Sequence, residues 1–208
     1  MSTSISVPHS KSNIRVPLGV GRQPKARSAD GVSGVGPTLV RIAVDLTLPQ
    51  NHANSGMIEP YLQSIQAHLS LDCVFVALFN STRNRIGWVA AAKSHYAYCN
   101  PRELVGSPQP CDAEMLNRLG RYQLADIRDS TIATGEYPDF CSRLVNLNLC
   151  SMLVGGILIG DEACGLMVFG SLHRRDKWEA EAHLALKLMS SSYAAGYERN
   201  QLRRRDRS

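Results

Sequence analysis

The sequence lacks most of the features that assign a chemistry directly. Its longest apolar run, Ser151–Gly160, is about half of what a membrane-crossing helix needs, which excludes a helical membrane span. No two of its six cysteines have CxxC spacing, and none of its six histidines (His9, His52, His68, His95, His173, His183) lies at ligand spacing from another, so no metal motif is visible. The first 29 positions hold no acidic residue and no apolar stretch of the kind that opens a secretion signal. Pro8, Pro17, Pro24, Gly19 and Gly21 also oppose an amphipathic targeting helix there. Composition therefore gives a disordered basic tail over 1–36.

What remains is room for one soluble domain, since 208 residues can bury a core without disulfides or metal. The formal net charge of +5 is concentrated at the ends. Residues 1–36 carry five bases and one acid, residues 199–208 carry five arginines and Asp206, and the body between is mildly acidic. A folded nucleic-acid-reading surface is not expected from that distribution. The cysteines, with no secretion signal, read as reduced thiols in a cytoplasmic protein, with Cys73, Cys150 and Cys164 as small core residues. GVSGVG at 31–36 imitates a phosphate loop, but no strand precedes it and Pro37 follows, so it reads as linker.

Periodicity supplies the elements. LVRIAVDL (39–46) fits a short helix or an extended segment equally well, whereas Ile58, Tyr61, Leu62, Ile65 and Leu69 recur at the helical period over 57–69. DCVFVALFN (72–80) and IGWVAAAK (86–93) read as a hairpin across NSTRNR, and 94–111 reads as a long loop. Asp112 is placed to cap a helix over 113–119 that stops at Gly120. YQLADIRD gives a short strand, STIATGEY a loop, and Pro138 starts a helix that buries Phe140, Leu144 and Leu147. LCSMLVGGILIG and CGLMVFGSL bracket a turn at 160–162 and form the strongest hairpin. A last helix, capped by Asp176, buries a stripe of Trp178, Ala182, Ala185, Leu186, Met189, Tyr193 and Tyr197.

The order of these elements resembles the GAF family, PAS-like sensory domains of bacterial signalling proteins, over about residues 38–200. DCVFVALFN resembles the family's first strand, LADIRD the short strand ending near Asp126, NLCSMLVGGILIGDEACGLMVFGS the closing hairpin, and KWEAEAHLALKLMSSSYAAGYER the exit helix. The resemblance implies an α/β (α+β) fold. In it, a central antiparallel sheet of five to six strands has the N- and C-terminal helices on one face and loops plus short helices on the other. The expected organisation is a tail (1–36), a GAF-like domain (37–200) and a basic end (201–208). Two departures are visible. Gly155 or Gly156 stands where the family often has proline, and the NKFDE pattern of cyclic-nucleotide-binding members is missing, so cyclic GMP is unsupported.

By the same resemblance, an unidentified small molecule would sit between the sheet and residues 94–148. That places Trp88, Tyr96, Tyr98, Asp126, Arg128, Phe140 and Met152 near it, as ligand-binding candidates. Trp88, Phe140 and Met152 serve equally as plain core, and Asp126 and Arg128, two apart on a strand, pair with each other or with a ligand. The implied function is a sensor that relays binding through the long last helix, as a homodimer through its terminal helices, to a separate output protein or a further part of a longer chain. In the family the outputs are cyclic-di-GMP enzymes, kinases or transcription activators; neither specific nucleic acid nor membrane is expected as a partner. Two alternatives stand beside it. Cys99, Cys111 and Cys141 fall in the covering loops, as the cysteines of GAF-like free methionine sulfoxide reductases do, although that class's other signatures are absent. The domain would otherwise be a ligand-free interaction scaffold.

Overall fold

The computed structural model describes residues 35–95, 97 and 109–207, all within one unit of contacts, Ser33–Ser208. Tyr96, Tyr98 and Cys99, most of the expected covering loop and nearly all of the expected N-terminal tail lie outside the described residues.

Alternation within β1 (Cys73–Phe79) explains the two-layered arrangement. Val74 and Val76 point to one core, Cys73, Phe75 and Ala77 to the other, and all five are buried. A strand buried on both faces must be central. The sheet order is β3-β2-β1-β6-β5-β4, with antiparallel pairing throughout. β2 is Arg85–Lys93, β3 Gln109–Pro110, β4 Leu124–Ile127, β5 Ser151–Ile159 and β6 Glu162–Ser171. The two-residue β3, paired with Arg85 and Ile86, falls where only loop was expected.

One face is covered by α1 (Pro37–Leu46), α2 (Glu59–His68) and α6 (Ala180–Arg205), the other by α3 (Ala113–Tyr122), α4 (Ser130–Ala133) and α5 (Pro138–Val145). This is the layering that the resemblance implies. The ambiguous LVRIAVDL is helical because Leu39, Ile42, Ala43 and Leu46 share one buried face. Two 3₁₀ turns, Pro49–His52 and Ser55–Met57, join α1 to α2.

Local expectations fail at helix ends. α3 runs through Gly120 and stops at Gln123, whose left-handed φ of 62° lets its backbone N–H donate to Leu119 O and close the helix. α6 begins at Ala180 and not after Asp176, with Glu179 extended before it, and it ends at Arg205, where the proline-free run was expected to end. STIATGEY contains α4, because the Asp129 carboxylate accepts from the amides of Thr131 and Ile132. Gly155 explains one departure from the family pattern: a Cβ there would lie 2.7 Å from Ser190 Oγ and 2.8 Å from Leu186 Cγ. Its hydrogen lets α6 lie directly on β5.

Cys73 is buried as expected and Cys164 is half-buried, but Cys150 is exposed. Its amide donates to Ser171 O and its carbonyl accepts from Ser130 N, both at 2.8 Å, which turns the side chain outward. Among the described residues no helix is long and apolar enough to cross a membrane, and no cluster of three metal-ligating side chains occurs.

Candidate functional site

β4 is the edge strand beyond β5, paired on one side only. Ala125 and Ile127 turn into the core under α3–α5, while Asp126 stands opposite Leu153. Past its end the chain is pinned at three points. Ser151 Oγ donates to Arg128 O at 2.6 Å and accepts from Arg175 N at 2.7 Å, and Ser130 Oγ donates to Leu149 O at 2.6 Å. These fully buried hydroxyls fix the direction of 128–130, from which the one-turn α4 departs.

A cavity of about 300 Å³ opens there, between β4, α4, the start of α5 and the approach to α6. Its apolar lining residues are Ala125, Ile127, Ile132 and Ala133, with Tyr137 beside them. Three ion pairs surround it: Arg128 Nε to Asp126 Oδ2 at 3.6 Å, Arg174 Nη1 to Asp129 Oδ2 at 3.2 Å, and Arg118 Nη1 to Glu136 Oε1 at 3.9 Å. The lining is thus neutral in sum and strongly dipolar. Asp126 Oδ1 and Arg118 Nε are buried without a hydrogen-bond partner. An acceptor and a donor left unpaired in this way each cost roughly 1–3 kcal/mol.

Local bonds set the ionisation. The Asp129 carboxyl is held below its ordinary range, first by the Thr131 hydroxyl and then by the amides of Thr131 and Ile132 and by Arg174. Tyr137 donates to Glu136 Oε1 at 2.5 Å, and burial followed by that bond pushes its hydroxyl up to about 12. At neutral pH the cavity presents a phenol and a fixed carboxylate. The lining residues carry hydrogen-bonding groups and three ion-pair dipoles.

The sequence candidates divide. Asp126 and Arg128 line the cavity and pair with each other. Trp88, Phe140 and Met152 are core: Trp88 packs edge-on against Phe75 at 5.8 Å, and all three are buried beneath α3–α5. Trp88 Nε1 is left there without a partner. Arg118, Asp129, Glu136, Tyr137 and Arg174 are cavity residues that sequence reasoning missed. The Asp-Ser-Thr capping signal at 129–131 could have found Asp129. Nothing local points to Arg174, which reaches Asp129 across 45 positions.

Of the three cysteines expected in the covering loops, the two that are described, Cys111 and Cys141, offer little nucleophilic character. Cys111 is pushed up to about 12 by burial, then by Asp112 and Asp139. Cys141 is pushed up to about 12 by burial, then by Asp112 and Glu136. Thiols in such acidic, desolvated surroundings stay protonated at neutral pH.

No family model matches the sequence, and no curated protein matches it. Solved structures do match. The phycocyanobilin-bound GAF domain from a cyanobacterial phytochrome is 16% identical with a TM-score of 0.64, and the match covers 81% of this chain and 98% of that one. The phycoerythrobilin-bound GAF domain from a cyanobacterial phytochrome gives 16%, 0.64, 80% and 98%. The chromophore-binding domain of an unusual bacteriophytochrome from R. palustris gives 12%, 0.61, 79% and 62%. Likeness at this identity is a likeness of fold. The chain has the fold of a GAF domain.

Proposed function

We propose that the protein is a cytoplasmic regulatory domain of a bacterial signalling system, which senses a compact polar ligand at the β4–α4–α5 cavity. The observation that carries this reading is one small cavity lined by three ion pairs, on a fold whose solved neighbours hold small molecules. Neutral dipolar walls suit a zwitterion or an uncharged heterocycle that both donates and accepts. The neighbours' bilins are a poorer fit: about 300 Å³ lies at the bottom of the range of ligand pockets, and the space beneath α3–α5 holds Trp88, Phe140 and Met152.

The output reading rests on α6. Its inner face packs on the sheet, and its outer face still carries exposed Leu184 and Leu202, with half-buried Leu188 and Ala195 between them. Leu184, Leu188, Ser191, Ala195 and Leu202 follow the heptad spacing of a coiled-coil seam. Exposed Val40 and Val44 of α1 add apolar surface. A second copy of the chain pairs along this seam, and ligand binding shifts it toward a separate output protein.

A ligand-free scaffold is the second reading, favoured by the filled core around Trp88, Phe140 and Met152. Native mass spectrometry of protein from its own host separates the two. A bound mass below about 500 Da that is lost in Asp126→Ala supports sensing. A bare wild-type chain, with no thermal shift across a metabolite panel, leaves the scaffold. Added biliverdin is expected to give no red-shifted absorbance.

A further inference from the structure

A second groove, of about 470 Å³, runs between the last turns of α6 and the 3₁₀ turns that follow α1. Pro49, Ala53 and Met57 give it an apolar side. Arg203, Arg204 and Arg207 stand across from them, and no carboxylate lines it.

The groove is built and not merely a charged helix end. Asn200 Nδ2 donates to His52 O at 3.0 Å, Arg204 Nη2 to Ala53 O at 3.1 Å and Arg199 Nη1 to Thr47 O at 3.3 Å. Three side chains of α6 thereby hold the 47–53 segment by its carbonyls and set the groove's width. Arg203 and Arg207, one turn apart, have no carboxylate partner among the described residues. The helix dipole favours cations near a C-terminal end. It does not by itself account for Arg203 and Arg207 lining a groove whose other side is apolar and whose lining holds no carboxylate.

We propose that this groove binds a small molecule bearing a phosphate monoester or diphosphate, with the molecule's apolar part against Met57 and Pro49. Guanidinium forks match phosphate oxygens in pairs, and only an anion of two or more charges offsets three arginines. The volume is that of a small-molecule site. The inference stands apart from the β4 cavity and from the sensing assigned to it.

Titration calorimetry at 0.15 M salt tests it, with inorganic pyrophosphate, adenosine diphosphate and adenosine as probes. Pyrophosphate and adenosine diphosphate are expected to bind, the latter more tightly, and adenosine not measurably. Arg203→Ala/Arg207→Ala should weaken both at least about tenfold with helicity unchanged by circular dichroism. Arg203→Lys/Arg207→Lys should lose affinity despite keeping the charge. Exposed Arg85 and Arg121, changed together to Ala, remove the same charge elsewhere and should leave affinity within about twofold, as should Asp126→Ala. Absence of binding, equal weakening by the Arg85/Arg121 pair, full affinity in the Lys pair, loss in Asp126→Ala, or capture of polyglutamate but not pyrophosphate would each overturn the proposal.

Discussion

The Asp112 carboxylate closes a helix that is not its own. It precedes α3 without bonding that helix's amides, and reaches α5, accepting from Asp139 N at 3.1 Å and Phe140 N at 2.8 Å. These are first-turn amides that nothing else satisfies, in a largely buried setting. Asp112→Ala is expected to cost about 2 kcal/mol in urea unfolding, and Asp112→Asn clearly less; a cost below about 0.5 kcal/mol would remove the role. The sequence makes Asp112 a cap but cannot say of which helix, because the choice is made by packing across 27 positions. His52 gives a second residue-level test. Its Nε2 lies 2.7 Å from Leu46 O and must donate there, its Nδ1 is buried without a partner, and burial lowers its pKa. The folded state therefore holds the ring neutral, while the unfolded chain takes up a proton near pH 6.5. Stability from this site is whole above about pH 6.5 and declines as pH falls from there through the lowered folded value. Melting temperature against pH should flatten over that window in His52→Gln, and parallel curves for the two proteins would count against it.

At the scale of elements, α6 is bound to the rest of the fold by contacts as close as packing permits. A Cβ at Gly196 would fall 2.1 Å from Leu46 O and 2.3 Å from His52 Nε2, so Gly196→Ala is expected to separate α6 from α1 and the first 3₁₀ turn. The cost should exceed the roughly 1 kcal/mol that Ala otherwise gains over Gly in a helix, read as a lowered unfolding midpoint. The outer seam predicts the opposite behaviour. Leu184→Glu with Leu188→Glu should move a dimer to monomer in sedimentation. Leu184→Glu alone, at the exposed position, should do so in part with the melting temperature nearly unchanged in dilute solution, since half-buried Leu188 also touches the core. A wild-type chain that sediments as monomer at high concentration ends the pairing model. Which elements exist was legible wherever period and length agreed: the inner stripe from Trp178 to Tyr193 is buried as read. The ends were not, because Gly120 sits mid-helix with open space around it while Gln123 takes the left-handed turn. The cavity was legible only where its residues are neighbours, as Asp126 and Arg128 are; Arg118 and Arg174 arrive from α3 and from beyond β6, and only the sheet order brings them together.

Across the whole molecule the two faces of the sheet are covered unequally. A helix of 26 residues lies on one face, joined to α1 by the His52 and Gly196 contacts. The other face is covered by helices of 10, 4 and 8 residues. Short helices bury less apolar surface per element and leave more of their bonds at frayed ends. The α3–α5 layer is therefore expected to open first, without global unfolding. The β4 cavity touches α3 through Arg118, α4 through Ile132 and the segment leading into α5 through Glu136 and Tyr137, so a ligand there ties this layer together. Binding at a hundredfold excess over its dissociation constant adds about 2.7 kcal/mol to states that keep the cavity intact. Amide hydrogen exchange should show that stabilisation as slowed exchange in 113–122 and 130–145. Amides of β1 and β6, already limited by global unfolding, should change only as far as global stability does. An exchange pattern that slows equally in α1 and α6 would place the ligand on the other face, whereas a relay through the seam requires a smaller, separate change in 184–202 that the Leu184→Glu/Leu188→Glu protein does not show.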